Sequence, residues 1–378
     1  MRLLVDARYV RPVHDGISRY TAGLLHALDR LIRAGRAPGL RVAMLISDPA
    51  QRKRLPDLPT VRGFSPTGPL EPLSALRINR VRPDAVFSPM QTIGTWGRDY
   101  AQILTLHDLI YYAHPQPPGF LPAPVRLGWR LFHRSYAPQR WLLDRADAVV
   151  TVSRTTAGLM HEHRLTRRPV TVVPNAAPDG VLLDPLEARA RARGRGTDLL
   201  YMGSAMPYKG VESLIAGMER LPGYRLHLLS RYPEARRREL AARSRHPERV
   251  VFHDGIAERE YRELLRTARA LVSASRAEGF GLPVVEAQAQ GVPVVLSDIP
   301  IFREVAPHGL HVDFADPQAF PAAVRRLEDP RVRAEIAARG AADAARYSWE
   351  ASARTLVELA ERVSRARRAG GSGSPARR

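Results

Sequence analysis

Short apolar runs alternate with helix-period segments along almost the whole chain. In the first half the runs fall at residues 3–6, 42–46, 85–87, 102–106, 148–152 and 170–173. In the second half they fall at 199–202, 224–229, 250–253, 270–273, 292–296 and 310–312. They are too short for helices. They read as strands of parallel sheets. Strands alternating with helical segments predict an α/β architecture. Two sets of about six predict two doubly wound domains, at residues 1–178 and 198–346. Between them, residues 179–197 read as a linker whose centre, ARARARGRG, is polar and punctuated by glycine. A last helix is expected over about 347–368 and a disordered tail over 369–378. Ligands of such sheets bind outside the carboxyl ends of the strands.

At 378 residues the chain can bury a large core. No window approaches the roughly 20 apolar residues of a membrane span. The opening MRLLVDARYV is too short an apolar run for a signal peptide. Cysteine is absent, which removes disulfides and thiolate metal sites. A cytoplasmic protein is expected. The net charge of +20 raises the question of nucleic acid. However, lysine occurs only at positions 53 and 209, and arginine supplies the other basic residues. That bias fits GC-rich codon usage, and no nucleic-acid-binding pattern accompanies it.

Residues 273–298, SASRAEGFGLPVVEAQAQGVPVVLSD, carry the densest chemistry. They read as strand end, glycine loop, helix and second strand. Gly279 and Gly281 allow positive φ and close approach of backbone to a ligand. Pro283 suits the first helical position. The helix start, with free N–H groups and the positive dipole end, is an anion site. Glu278 before it and Glu286 within it accept hydrogen bonds from hydroxyls but repel phosphate. An anion nest flanked by acids points to a sugar nucleotide. The plain alternative is a helix start with surface acids.

This segment resembles the glutamate-pair motif of family 4 glycosyltransferases, which have the GT-B fold. The resemblance implies two Rossmann-like domains facing an interdomain cleft. The N-terminal domain would bind the acceptor, the C-terminal domain would bind the nucleotide sugar, and the last helix would return to the N-terminal domain. It also implies that Glu286 holds the ribose, that Glu278 lies beside the donor sugar, and that Phe280, Gly281 and Leu282 approach the diphosphate and sugar.

Other segments extend the resemblance. In YMGSAMPYKGVESLIAGM, Gly203 opens a loop and Lys209 precedes a helix, where an ammonium can neutralise phosphate charge. Ser204 and Tyr208 stand where the family often has basic residues. A solvated lysine is the other reading. Gly16, Ile17 and Ser18 resemble the glycine loop that faces the donor diphosphate, with Ser18 as the expected helix cap. An ordinary strand-to-helix turn would look the same. His107 and Asp108 follow the run QILTL and resemble the family's histidine–aspartate segment, in which the histidine approaches the donor sugar; otherwise His107 is a core or capping histidine. Asn175 falls at the domain crossing, followed by Ala176 where the family has glycine. Glu304 resembles a position beside the donor.

No Asp-x-Asp pair occurs, so neither a catalytic metal nor any other cofactor is expected. Residues 122–145 interleave arginines with Trp129, Phe132 and Trp141, a pattern that suits an anionic membrane surface or, equally, a core-packed helix.

The expected function is hexosyl transfer, with retention, from a nucleotide sugar to a glycan, lipid-linked or small-molecule acceptor. GDP-mannose is favoured over a UDP-hexose. The rival readings are a nonhydrolysing sugar-nucleotide epimerase and a nonenzymatic basic binding protein.

Overall fold

The computed structural model describes residues 1–11, 15–117, 121–192 and 196–371. The chain divides into two units, Met1–Asn175 with Ser348–Arg378, and Ala176–Tyr347. The first is built on seven strands: β1 (Arg2–Asp6), β2 (Arg41–Ile46), β3 (Thr60–Arg62), β4 (Ala85–Ser88), β5 (Ala101–Leu106), β6 (Ala148–Thr151) and β7 (Val170–Val172). Their order is β3-β2-β1-β4-β5-β6-β7. The second has six: β8 (Asp198–Tyr201), β9 (Arg225–Leu228), β10 (Val250–Phe252), β11 (Ala270–Ser273), β12 (Val294–Ser297) and β13 (Leu310–Val312). Their order is β10-β9-β8-β11-β12-β13. All pairings are parallel.

Both sheets are doubly wound, and the winding reverses once in each, between β1 and β4 and between β8 and β11. Every residue of β4, β5, β6, β11 and β12 is buried. This is why these strands read as unbroken apolar runs.

Four details depart from the sequence reading. The edge strand β3, TVR, has no apolar run and no buried residue, so periodicity cannot detect it. β12 begins at Val294 rather than Val292, because Val292 N–H still closes the preceding helix on the Ala287 carbonyl. Within the expected linker, Pro185–Ala192 forms a helix with Ala188 and Ala192 buried. It is seated in the second unit: a Cβ at Gly291 would come within 2.8 Å of Ala188. Residues 193–195 lie outside the described residues. The last helix runs Trp349–Gly371, so residues 369–371 of the expected tail are helical, and the remainder of that tail, 372–378, is not described.

That last helix packs within the first unit. The Trp349 ring fills the space left by Gly23, where an added Cβ would sit 2.5 Å from it. Ser352 Oγ donates to the Pro174 carbonyl, and Ser364 Oγ to that of Asp84.

Candidate active site

The loops leaving β8 and β11, the two strands at the second unit's switch point, bring the expected donor residues together. After β11, Ser273 to Gly281 form the connection to the helix Leu282–Ala289. Gly281 caps that helix with φ 90°, a left-handed conformation that an L side chain adopts only with strain. Pro283 is the second helical residue rather than the first. No side chain caps this helix, so its N-terminal end keeps N–H capacity for an incoming group.

After β8, Gly203 is held on three sides. Its N–H donates to Ser230 Oγ at 3.0 Å, its carbonyl accepts from the Tyr232 hydroxyl at 2.9 Å, and the Tyr201 hydroxyl reaches the Ser204 carbonyl at 2.9 Å. Burial pushes the Tyr201 and Tyr232 phenols well above their ordinary range, so both remain neutral donors. Lys209 ends a single turn, Pro207–Lys209, and Gly210 follows at φ 65°. A Cβ on Gly210 would come within 2.4 Å of the Ala274 carbonyl. Only glycine therefore lets the two loops pack this closely.

The result is an ion pair across the switch point. Lys209 Nζ donates to Glu278 Oε1 at 2.5 Å, and both side chains are about 15% exposed. The ammonium has three donors and the carboxylate two acceptor oxygens, so each keeps capacity after the other is satisfied. Glu286 lies one turn into the helix, buried, and accepts from the Tyr261 hydroxyl at 3.3 Å. Phe280 is buried edge-on against Tyr347, with centroids 5.2 Å apart. A cavity of about 640 Å³ opens beside the loop at the ends of β11, β12 and β13, lined by Ser275, Arg276, Asp298 and Asp313 among others.

In the first unit, His107 follows β5. Its Nε2 lies 2.8 Å from the Pro89 carbonyl. A carbonyl only accepts, so Nε2 carries the proton and Nδ1 is the acceptor. The Tyr20 ring stands edge-on to it at 5.2 Å. Burial holds the imidazole below its ordinary value, hence neutral near pH 7.

The Gly16 segment differs from expectation in its cap. Asp15, not Ser18, is the N-cap of Gly16–Arg33: Asp15 Oδ1 accepts from Ser18 N and Oδ2 from Ser18 Oγ. The carboxylate thereby takes up an N–H of the helix start. Gly16 itself faces open space, with nothing within 4 Å of an added Cβ. Asn175 is buried at the crossing between the units, and the Glu304 carbonyl accepts from Arg346 and Tyr347.

Residues 14–179 match the model described as Glycosyltransferase Family 4, and residues 186–343 match Glycosyl transferases group 1. The chain belongs to this glycosyltransferase family. It is 31% identical over 241 residues to a D-inositol 3-phosphate glycosyltransferase of Acidothermus cellulolyticus, covering 56% of this chain and 54% of that one. It is 26% identical over 187 residues to the serotype-specific mannosyltransferase WbdA of Escherichia coli, covering 44% and 23%. The matches thus span about half, or less, of these relatives. Sucrose-phosphate synthase of Thermosynechococcus elongatus superposes with TM-score 0.71 at 20% identity, over 97% of this chain and 99% of that one. HepE of Anabaena, solved with UDP and glucose, gives 0.67 at 18%, over 95% and 99%. These likenesses show the glycosyltransferase fold, GT-B.

Four contributors had escaped the sequence reading. Tyr261 carried no signal beyond helix periodicity. Ser230 and Tyr232, which brace Gly203, follow β9 and could have been found by asking which strand ends border β8. The Pro89 carbonyl is backbone and invisible to any residue pattern.

Proposed function

We propose that this glycosyltransferase moves a hexosyl group from a nucleotide-sugar donor to an acceptor hydroxyl with retention of anomeric configuration. The Lys209–Glu278 pair, set beside an uncapped helix end at the β8/β11 switch point, is the observation that carries this reading. The donor diphosphate lies against that helix end, where Lys209 offers it the N–H donors that Glu278 leaves over. Glu278 accepts from a sugar hydroxyl and Glu286 from the ribose. His107, in the first unit, keeps Nδ1 as an acceptor for a hydroxyl. In the reaction the acceptor oxygen bonds to the anomeric carbon on the face from which the phosphate leaves. The carbon–oxygen bond to the phosphate breaks, and the acceptor's proton passes to the departing phosphate oxygen. Lys209 stabilises the charge that develops there. No side chain serves as a covalent nucleophile, and trapping a glycosyl-enzyme adduct would overturn this route.

GDP-mannose is the favoured donor, on the strength of relatives named as mannosyltransferases, with a UDP-hexose as the competing choice. The test is thermal stability with GDP, UDP, GDP-mannose and UDP-glucose, on the wild type and on Glu286→Ala. A ligand at about 100 times its Kd adds about 2.7 kcal/mol to the folded state. A shift from one nucleotide family that vanishes in Glu286→Ala supports the site and names the base. No shift with any of the four sinks it.

A further inference from the structure

Residues 109–143 hold four arginines and no acidic side chain, in a chain that has 38 acidic residues. Within them lies the helix Ala123–Phe132, none of whose residues is buried. Its inner side is aromatic. Trp129 stands edge-on to Tyr111 at 4.5 Å and packs on His133 at 4.3 Å, and His133 in turn meets Tyr112. Its outer side is aliphatic. Pro124, Leu127, Gly128 and Leu131 recur at helical spacing on the side away from Trp129. Leu127 and Leu131 are 59% and 53% exposed. Arg130 flanks this stripe on the helix, and Arg134, exposed, follows just past the helix end. Helices of water-soluble units turn their polar face outward, and this one presents an apolar stripe edged with cations.

Two neighbouring features repeat the combination. Trp141, on the helix Ala137–Asp144, is 63% exposed with the Arg145 guanidinium 4.6 Å from its ring. The same helix supplies Arg140 to a cavity of about 890 Å³ that Arg164, Arg167 and Arg168 also line. Under the 123–132 helix, Arg126 Nε, Trp129 Nε1 and the Tyr112 hydroxyl are buried without hydrogen-bond partners among the described residues. Its seat on the unit is therefore incompletely satisfied in water.

We propose that this face of the first unit docks on an anionic lipid bilayer, with Leu127 and Leu131 entering the headgroup–acyl boundary and the arginines meeting lipid phosphates. A second copy of the chain fits worse. A two-fold contact would set the arginines of two copies against each other, with no acid between residues 109 and 143 to pair with them; Asp144, the next residue, already accepts from Thr166 Oγ1 and Arg167 N of its own unit. A bilayer offers a uniformly negative surface over an apolar interior, which matches both the edge and the stripe. The proposal stands independently of the transfer reaction.

The test is co-sedimentation with phosphatidylcholine vesicles, with and without phosphatidylglycerol. The proteins are wild type, Leu127→Gln/Leu131→Gln and Arg130→Gln/Arg134→Gln. Wild type is expected to partition onto the anionic vesicles only. Each arginine removed lowers the partition coefficient about fivefold, and the leucine pair lowers it at least as far as the arginine pair. Unchanged melting temperatures without lipid separate lost docking from lost fold, and should one variant fail to fold the other carries the test. Equal binding to neutral vesicles, or variants that partition like wild type, would overturn the proposal. So would a solution dimer that the leucine pair dissociates while no vesicle binding is seen.

Discussion

At both switch points a loop leaves one central strand and meets a loop from the strand beside it, yet the charges serve different ends. In the first unit they are consumed internally. Arg8, just past β1, is fully buried between Asp6 at 2.8 Å and Glu71 at 2.5 Å, and it also donates to the Phe64 carbonyl and Ser74 Oγ. Asp15 closes the start of the following helix. In the second unit the same places hold an ion pair with spare donors and acceptors, and a helix capped only by a glycine backbone. Charges fully satisfied by one another build a scaffold. Charges left with spare capacity at a partly exposed position build a receptor.

Substitutions can break this comparison, and the largest effect falls in the scaffold. Arg8→Ala strands two carboxylates and is expected to cost about 3–5 kcal/mol, read by denaturant unfolding. The triple change Asp6→Asn/Arg8→Met/Glu71→Gln should recover much of that loss; if it does not, the network is not electrostatic in the sense argued. Next, Lys209→Ala should lower turnover about 10²- to 10³-fold, as the loss of a donor at developing charge does elsewhere. Its melting temperature should move far less than that of Arg8→Ala. Equal thermal losses would make Lys209 a scaffold residue as well.

A glycine pair sharpens the contrast. Gly281→Ala puts a Cβ on a residue at φ 90° and 3.1 Å from Phe302, and should cost about 1–3 kcal/mol together with nucleotide affinity. Gly16→Ala meets open space and should be close to neutral in both measurements. Asp15→Ala removes an N-cap worth about 1 kcal/mol and should leave the nucleotide-induced thermal shift unchanged.

The smallest effect is a pH slope. Burial lowers His107 and His227, one in each unit, below the unfolded value of about 6.5. The unfolded chain therefore binds more protons in the window below that value. Stability from these groups is fully present above about pH 6.5 and drains away as the pH falls toward their folded values. Melting temperatures at pH 7.5 and 5.5 should differ accordingly, and His107→Gln should flatten part of the slope.

Legibility in the sequence followed the physics of each element. β11, the glycine loop, the helix carrying Glu286 and β12 were readable because apolar runs, glycine and proline punctuate them in register with the backbone. The helix Pro185–Ala192 was not, because alanine and arginine in alternation carry no periodic stripe, and only two alanines are buried. Ser18 and Asp15 are both good caps three residues apart, and local pattern cannot choose between them. The Lys209–Glu278 contact joins residues 69 positions apart. Each residue was visible alone, but their union depends on β8 and β11 being neighbours, which no local window contains.

Trp349 beneath Gly23 has a consequence for the order in which the molecule is made. The first unit is interrupted: its opening 175 residues emerge from the ribosome without the helix that covers Tyr20 and the β4–β5 face. The second unit is one continuous stretch of chain and can fold as soon as it has emerged. At about 5–20 residues per second, the first waits roughly ten to forty seconds for its closing helix. The part begun first is thus finished last, and through that interval its uncovered apolar surface is a target for chaperones.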